Sequence, residues 1–347
     1  MHYFSVQNNY HIQIAKLFIK KFKIPKNEIY YILNSSPHYY NLDVIDNKIF
    51  LKAHPLSSGG GYKKINLYFK CLNHNNKIKK AINFCDKDKL FILSEYEINN
   101  SILAKQIKIK NGKNYLIAES IGFYFNHHKY YQSNKEQSIY LKILNLIFFI
   151  FNLPIVAKKG QEGIMYLSIK NRLIDKIYSR FDFEIERNLP IEKYKCISDD
   201  IMLNTKNKNI IVFASNFECF GYQKEEINLI KKAITICSKK FDKVSIKVHP
   251  QDYILKNNVY KEYQQLNLTN VKIVENSLTP LEAIKKHNCS YACGSISTSL
   301  FDALNYGCKT FFLFHLLKEI EELKVSKTML DSIGYKFIDN LNDIDID

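Results

Sequence analysis

Residues Asn209–Ala214 read NIIVFA, an apolar run broken by nothing after its first residue. No other feature of the chain limits its fold more. A strand that is apolar on both faces must be covered on both, as a parallel strand inside an open sheet is. The residues downstream agree with that reading. Lys224–Lys240 carries apolar residues at helical spacing, and Val244–Val248 (VSIKV) reads as a strand. Val271–Val274 is a further strand, Leu281–Lys286 begins a helix and Ser290–Cys293 is a strand. Thr298–Tyr306 then reads as a helix and Thr310–Phe314 as a strand. Strand and helix alternating at this rhythm predict an α/β domain built on a parallel sheet.

The first half repeats the theme less clearly. Tyr3–Val6 is a short strand, Gln7-Asn8-Asn9 is turn-like, and Tyr10–Phe22 has Ile12, Ile14, Ala15, Leu17 and Phe18 at helical spacing. Further strands are expected at Glu28–Leu33, Lys48–Lys52, Lys89–Ser94 and Asn114–Ala118, with helix-like stretches between several of them. A chain of 347 residues suggests two domains at roughly 100–200 residues each. Between the halves, Asn188–Lys208 contains Pro190, loses its periodicity and turns polar, so the boundary is expected there. The reading is two Rossmann-like domains, 1–192 and 193–325, with a tail at 326–347 that is free to return to the first domain.

The formal net charge is +16. A surplus this large suits an anionic partner, whether nucleic acid, acidic lipid or anionic glycan, and a Lys-rich solubilising surface explains it equally well. Basic runs such as Lys77-Ile78-Lys79-Lys80 are short and interrupted, and no nucleic-acid motif is present, so no nucleic-acid partner is expected. Cys71, Cys85, Cys196, Cys219, Cys237, Cys289, Cys293 and Cys308 form no CxxC pair and no zinc spacing. Scattered cysteines read as reduced, buried thiols in a cytoplasmic compartment. The N-terminus has no signal-peptide pattern. The apolar stretch Ile143–Val156 holds Asn145, Asn152 and Pro154 and is 14 residues long, too short to cross a bilayer core of about 30 Å. It reads as buried structure or as a surface that dips into a membrane interface.

Chemistry gathers at strand ends. His249-Pro250 follows the strand VSIKV, where open α/β sheets bind ligands, and an imidazole there can meet a phosphate oxygen. Gly294-Ser295-Ile296-Ser297-Thr298-Ser299 follows another strand and opens a helix. Hydroxyls and backbone N–H groups at such a turn suit an anion, and simple N-capping accounts for one of them. Between the two lies Thr279-Pro280-Leu281-Glu282, a helix start whose Glu282 serves either ribose hydroxyls or the helix dipole. Ser57-Ser58-Gly59-Gly60-Gly61 is a Gly-rich loop, read as a plain turn or as backbone donors for a sugar carboxylate, and Gln7-Asn8 follows the first strand.

The order His-Pro, then Pro-x-Glu, then a Ser-Ser/Thr turn resembles the nucleotide-binding half of bacterial GT-B sialyltransferases, the lipooligosaccharide sialyltransferases and polysialyltransferases. The resemblance covers mainly residues 209–314. It implies a GT-B architecture, two Rossmann-like α/β domains facing each other across a cleft. It implies CMP-sialic acid as donor, a surface glycan of lipooligosaccharide or capsule as acceptor, and no cofactor or metal. It assigns the donor phosphate to His249, Pro250, Ser297 and Thr298, with Glu282, Gly294 and Ser295 also at the nucleotide. The sugar-site loops would be Gln7, Asn8 and Gly60. The family's acidic D/E-D/E-G motif has its nearest counterpart in Glu119-Ser120-Ile121-Gly122, where the second acid is a serine and one residue is inserted. On this resemblance Glu119 is the general base; as a bare residue it is a solvated strand-end carboxylate. The positive surface would suit peripheral contact with the anionic inner face of the cytoplasmic membrane. Two rivals remain. The run Ser297-Thr298-Ser299-Leu300-Phe301-Asp302 also fits CDP-polyol phosphotransferases of teichoic-acid synthesis, and the charge alone fits a non-catalytic basic binding protein.

Overall fold

A computed structural model of the chain describes residues 1–34, 45–52, 65–94, 98–118, 173–180, 189–194, 207–216, 223–249, 259–317 and 337–346. The chain divides into two compact units, Met1–Cys196 and Ile197–Asp347.

The first unit contains β1 (His2–Val6), α1 (Asn9–Lys21), β2 (Ile29–Leu33), β3 (Lys48–Phe50), α2 (Ile65–Ala81) and β4 (Lys89–Ile92). It continues with α3 (Ile98–Ile109), β5 (Lys113–Ala118), β6 (Lys176–Ser179) and β7 (Ile191–Lys193). Among the described residues these strands form one 7-stranded parallel sheet in the order β3-β2-β1-β4-β5-β6-β7. α1 starts where Asn8, in extended backbone, accepts a hydrogen bond from the His11 N–H at 2.9 Å. It buries Ile12, Ile14, Ala15 and Phe18, and its last turn carries Lys20 and Lys21 where the helix dipole favours cations. Phe18 lies 5.1 Å from Phe91 of β4 and 5.3 Å from Tyr194 just past β7. Phe4 of β1 stacks on Phe91 at 4.6 Å. One aromatic layer thus ties the helix across half the sheet.

β6 and β7 were not expected. They are short, and β7 lies on the sheet edge with half or more of its side chains in water, so it carries almost no hydrophobic signal. The polar stretch beginning at Asn188 therefore opens with a strand, and Tyr194 behind it is buried.

The second unit contains β8 (Asn209–Phe213), α4 (Gln223–Lys240), β9 (Lys243–Lys247), α5 (Val259–Gln264), β10 (Val271–Ile273) and α6 (Pro280–Lys286). β11 (Tyr291–Gly294), α7 (Thr298–Asn305) and β12 (Lys309–Phe312) complete it. Its described strands form a 5-stranded parallel sheet, β10-β9-β8-β11-β12. β8 is covered on both faces, with Ile210, Ile211 and Val212 each 0% exposed. Ile210 and Val212 join Leu229, Ile230, Ala233, Ile234 and Cys237 of α4 in one core. Residues 337–346 add to the second unit's core. Ile344 is wholly buried in that core, and the Lys240 ammonium donates to the carbonyls of Asn342 (2.7 Å) and Ile344 (2.8 Å).

Both sheets reverse their order beside their first strand, between β1 and β4 and between β8 and β11. In open α/β sheets that reversal parts the loops at the carboxyl edge and leaves a crevice for a ligand.

Candidate functional site

In the second unit, Phe213 of β8 pairs with Lys247 of β9 on one side and Gly294 of β11 on the other. The ladder continues past the strands, with the Ala214 N–H donating to the Lys247 carbonyl at 3.1 Å. Two residues beyond that rung come Ser215, His249 and Ile296, one per strand, at one level of the carboxyl edge. Neighbouring strands lie about 4.8 Å apart, so the backbone at His249 and at the start of the hydroxyl-rich turn is separated by about 10 Å. An imidazole from one side and a hydroxyl from the other can close that gap on a single anion.

Alternation along β9 sends Val244, Ile246 and Val248 into the core against α4 and leaves Ser245, Lys247 and His249 on the other face. Burial pushes the His249 ring down to about 4, and the nearby Lys247 cation adds to the effect. The ring is therefore neutral at pH 7 and offers one N–H donor. Lys247 was missed by sequence reasoning. Its side chain is buried, its ammonium donates to the Asn276 carbonyl at 3.1 Å, and burial lowers it to about 8 against the opposing pull of Glu282. A lysine inside an apolar strand reads as a solvated edge residue. Its signal was the spacing of two from His249.

The turn after β11 divides its labour. Gly294 lies so close to β8 that a Cβ there would stand 2.5 Å from the Phe213 carbonyl oxygen. Ser295 is 0% exposed; its hydroxyl donates to Glu226 at 3.2 Å, with the Ser215 hydroxyl 3.3 Å away. It faces inward and serves the fold, in place of the nucleotide contact expected of it. Ser297 occupies the N-cap of α7 in extended backbone (φ −158°, ψ 155°) yet makes no side-chain capping bond. Among the described residues its buried hydroxyl has no hydrogen-bond partner. A serine at this position ordinarily caps the second or third N–H of its helix. Leaving a buried hydroxyl unmade costs about 1–3 kcal/mol, which a ligand oxygen can recover. Thr298 is the first residue of α7 and is half-buried.

Glu282 does cap its helix. Its Oε2 accepts from the Thr279 N–H at 2.7 Å and from the Thr279 hydroxyl at 2.8 Å, in a reciprocal capping box. Pro250, Glu119 and Gly60 lie outside the described residues; β5 ends at Ala118, immediately before Glu119. In the first unit, Gln7 and Asn8 form the turn after β1 beside that sheet's own reversal, with Asn8 spent on capping α1. The Gln7 N–H donates to Nδ1 of His11 at 3.2 Å. His11 is held neutral, its pKa lowered to about 3 by burial and by the Arg180 cation. Arg180 follows β6, is buried, and donates to the Tyr10 hydroxyl at 3.1 Å, another residue the sequence did not reveal. Among the described residues no group of three or more His, Cys, Asp or Glu could hold a metal ion. No described helix is long and apolar enough to cross a membrane.

No family model matches the sequence, and no curated protein matches it. Solved structures do. The GT-B domain of a sialyltransferase from Photobacterium damselae is 12% identical over 96% of this chain and 97% of that one, with a TM-score of 0.49. An α/β-galactoside α-2,3-sialyltransferase from the luminous marine bacterium Photobacterium phosphoreum is 15% identical over 99% of both chains, also with a TM-score of 0.49. LpCGTa, solved in complex with UDP, is 9% identical over 97% of this chain and 85% of that one, with a TM-score of 0.50. The fold is GT-B. At these identities the likeness is one of architecture: the GT-B pair of Rossmann-like units is shared, and the chemistry must come from this chain's own residues.

Proposed function

We propose that this chain is an inverting glycosyltransferase that moves sialic acid from CMP-sialic acid to a hydroxyl of a surface glycan. One observation carries the reading: the Ser297 hydroxyl at the start of α7, buried and without a hydrogen-bond partner among the described residues, follows Ile296, whose register on the sheet edge matches that of His249. The donor phosphate would sit between them. His249, Ser297 and Thr298 donate to its oxygens, with the dipole of α7 behind it. Lys247 adds a buried cation beside the His249 ring, and the remaining oxygen of Glu282 is available to ribose. The choice of sialic acid rests on the order of the His249-Pro250, Pro280-x-Glu282 and Ser297-Thr298 motifs.

In the reaction, Glu119 takes the proton of the acceptor hydroxyl. The acceptor oxygen forms its bond to the anomeric carbon as the bond from that carbon to the phosphate oxygen breaks. The electron pair leaves on CMP, whose growing charge draws on the N–H and O–H donors around it. An anionic phosphate also favours protonation of the His249 imidazole, whose pKa is lowered by burial and by Lys247. Lipooligosaccharide or capsule is the acceptor class, reached at the anionic inner face of the cytoplasmic membrane.

The test is release of CMP from CMP-sialic acid, with CDP-glycerol in parallel, by wild type, Glu119→Ala and His249→Ala. Turnover of CMP-sialic acid that falls at least about a hundredfold in each variant supports the assignment. Turnover of CDP-glycerol alone transfers the site to phosphotransfer, and equal rates in all three proteins remove the site altogether.

A further inference from the structure

The carboxylate of Glu226, in the first turn of α4, is 0% exposed. Taking a carboxylate out of water costs several kcal/mol, so a fold keeps one there only where hydrogen bonds return the loss. Those bonds go to both sides of the crevice. Oε1 accepts from the Ser215 N–H at 2.9 Å, just past β8, and from the Ser295 hydroxyl at 3.2 Å, just past β11. Ser215 then donates its hydroxyl to the Ile296 carbonyl at 2.7 Å. Ile296 is the residue before Ser297. Helix, strand end and turn are thus joined through one oxygen atom at the point where the strand order reverses.

A first-turn acid that served only the dipole of α4 would gain as much in water and would touch neither strand. Gly294 completes the arrangement, because its bare Cα lets β11 approach β8 closely enough for these bonds to form. The Ser297 hydroxyl cannot set its own direction, since it makes no capping bond. Its place is fixed by the backbone of the turn, and that backbone is held from behind.

We infer that Glu226 is a positioning residue of the anion site: through Ser215 and Ser295 it holds the Gly294–Ser297 turn so that the Ser297 hydroxyl and the start of α7 face the donor phosphate. This deepens the proposed function and rests on it for the identity of the ligand. The positioning itself can be read without any ligand.

The experiment uses the full chain and the variants Glu226→Gln, Ser295→Ala, Ser297→Ala and the double variant Glu226→Gln/Ser297→Ala. Amide hydrogen exchange is followed in α7 and in β8 and β9, and CMP affinity is measured by calorimetry. Exchange at residues 300–306 rises about tenfold or more in Glu226→Gln while β8 and β9 stay as in wild type. CMP binding weakens about tenfold to a hundredfold, as expected when a contact group is displaced by a fraction of an ångström to an ångström. In the Ser297→Ala background, where the contact is already gone, Glu226→Gln weakens CMP little further. A loss of affinity equal in both backgrounds would overturn the inference, as would unchanged exchange in α7. If Glu226→Gln does not fold, Ser295→Ala cuts the same link with the carboxylate left in place and is judged by the same two readouts. Failure of both to fold would make the cluster purely structural and also overturn it. If wild type binds no CMP, the donor assignment fails, and the exchange data alone still decide whether Glu226 holds the turn.

Discussion

Ser297 holds a position that normally rewards the fold and here gives it nothing. Replacing it with alanine removes a buried hydroxyl that has no partner among the described residues. Ser297→Ala should therefore leave the urea midpoint unchanged or raise stability by about 1 kcal/mol, while CMP binding weakens at least about tenfold. A variant that loses stability and affinity together would show that the hydroxyl serves the turn and not the ligand. At this scale the sequence revealed residue types but not their directions. The hydroxyls of Ser295, Ser297, Thr298 and Ser299 look equivalent on paper; Ser295 is wholly buried and hydrogen-bonded to Glu226, while the Ser297 hydroxyl has no partner among the described residues. Glu226 is a first-turn acid whose burial helical periodicity cannot show, because it depends on a strand end lying over the helix start. Lys247 escaped for a different reason: alternation along a strand does not show what covers its second face.

Among elements, those the sequence revealed are the ones buried on two faces or amphipathic over several turns. β8, β9, α1 and α4 appear within a residue or two of their expected ends. β6 and β7 escaped because a strand of three or four residues near a sheet edge has too few buried positions to make a pattern. The contact between β8 and β11 was also invisible, since it depends on which strands become neighbours. Its most demanding point is Gly294, where an added Cβ would first meet the Phe213 backbone carbonyl at 2.5 Å, with the Leu300 side chain next at 3.2 Å. Gly294→Ala should cost about 2–4 kcal/mol, seen as a lower denaturant midpoint, because the two strands must separate to admit the methyl group. A midpoint equal to that of wild type would mean that β11 shifts freely and that the turn is not fixed by this approach.

Across the molecule, the described histidines whose titration is perturbed all move the same way. His2, His11, His74, His249 and His287 are each held below the ordinary histidine value, with burial the largest cause. Their unfolded forms bind protons more readily than their folded forms, so stability is complete above the ordinary value of 6.5 and is lost as pH falls from there toward the folded values. For buried His11 the loss is about 1.4 kcal/mol per pH unit across that window. Urea midpoints near pH 7 and near pH 5 should differ accordingly, with the lower value in acid. Equal midpoints would place these rings in water.

The lysines that close the helices have a consequence of their own. Lys20 and Lys21, Lys79 and Lys80, Lys239 and Lys240, and Lys285 and Lys286 all stand in last turns, beside backbone carbonyls that carry partial negative charge. In a parallel sheet, helix ends of this kind lie at the amino edge, the one turned away from His249 in its own unit. These eight lysines are thus locally compensated, and the four of the second unit stand away from His249. An arriving anion would be drawn in over the last few ångströms by Lys247 and the start of α7, and capture should depend on ionic strength far less than the net charge suggests.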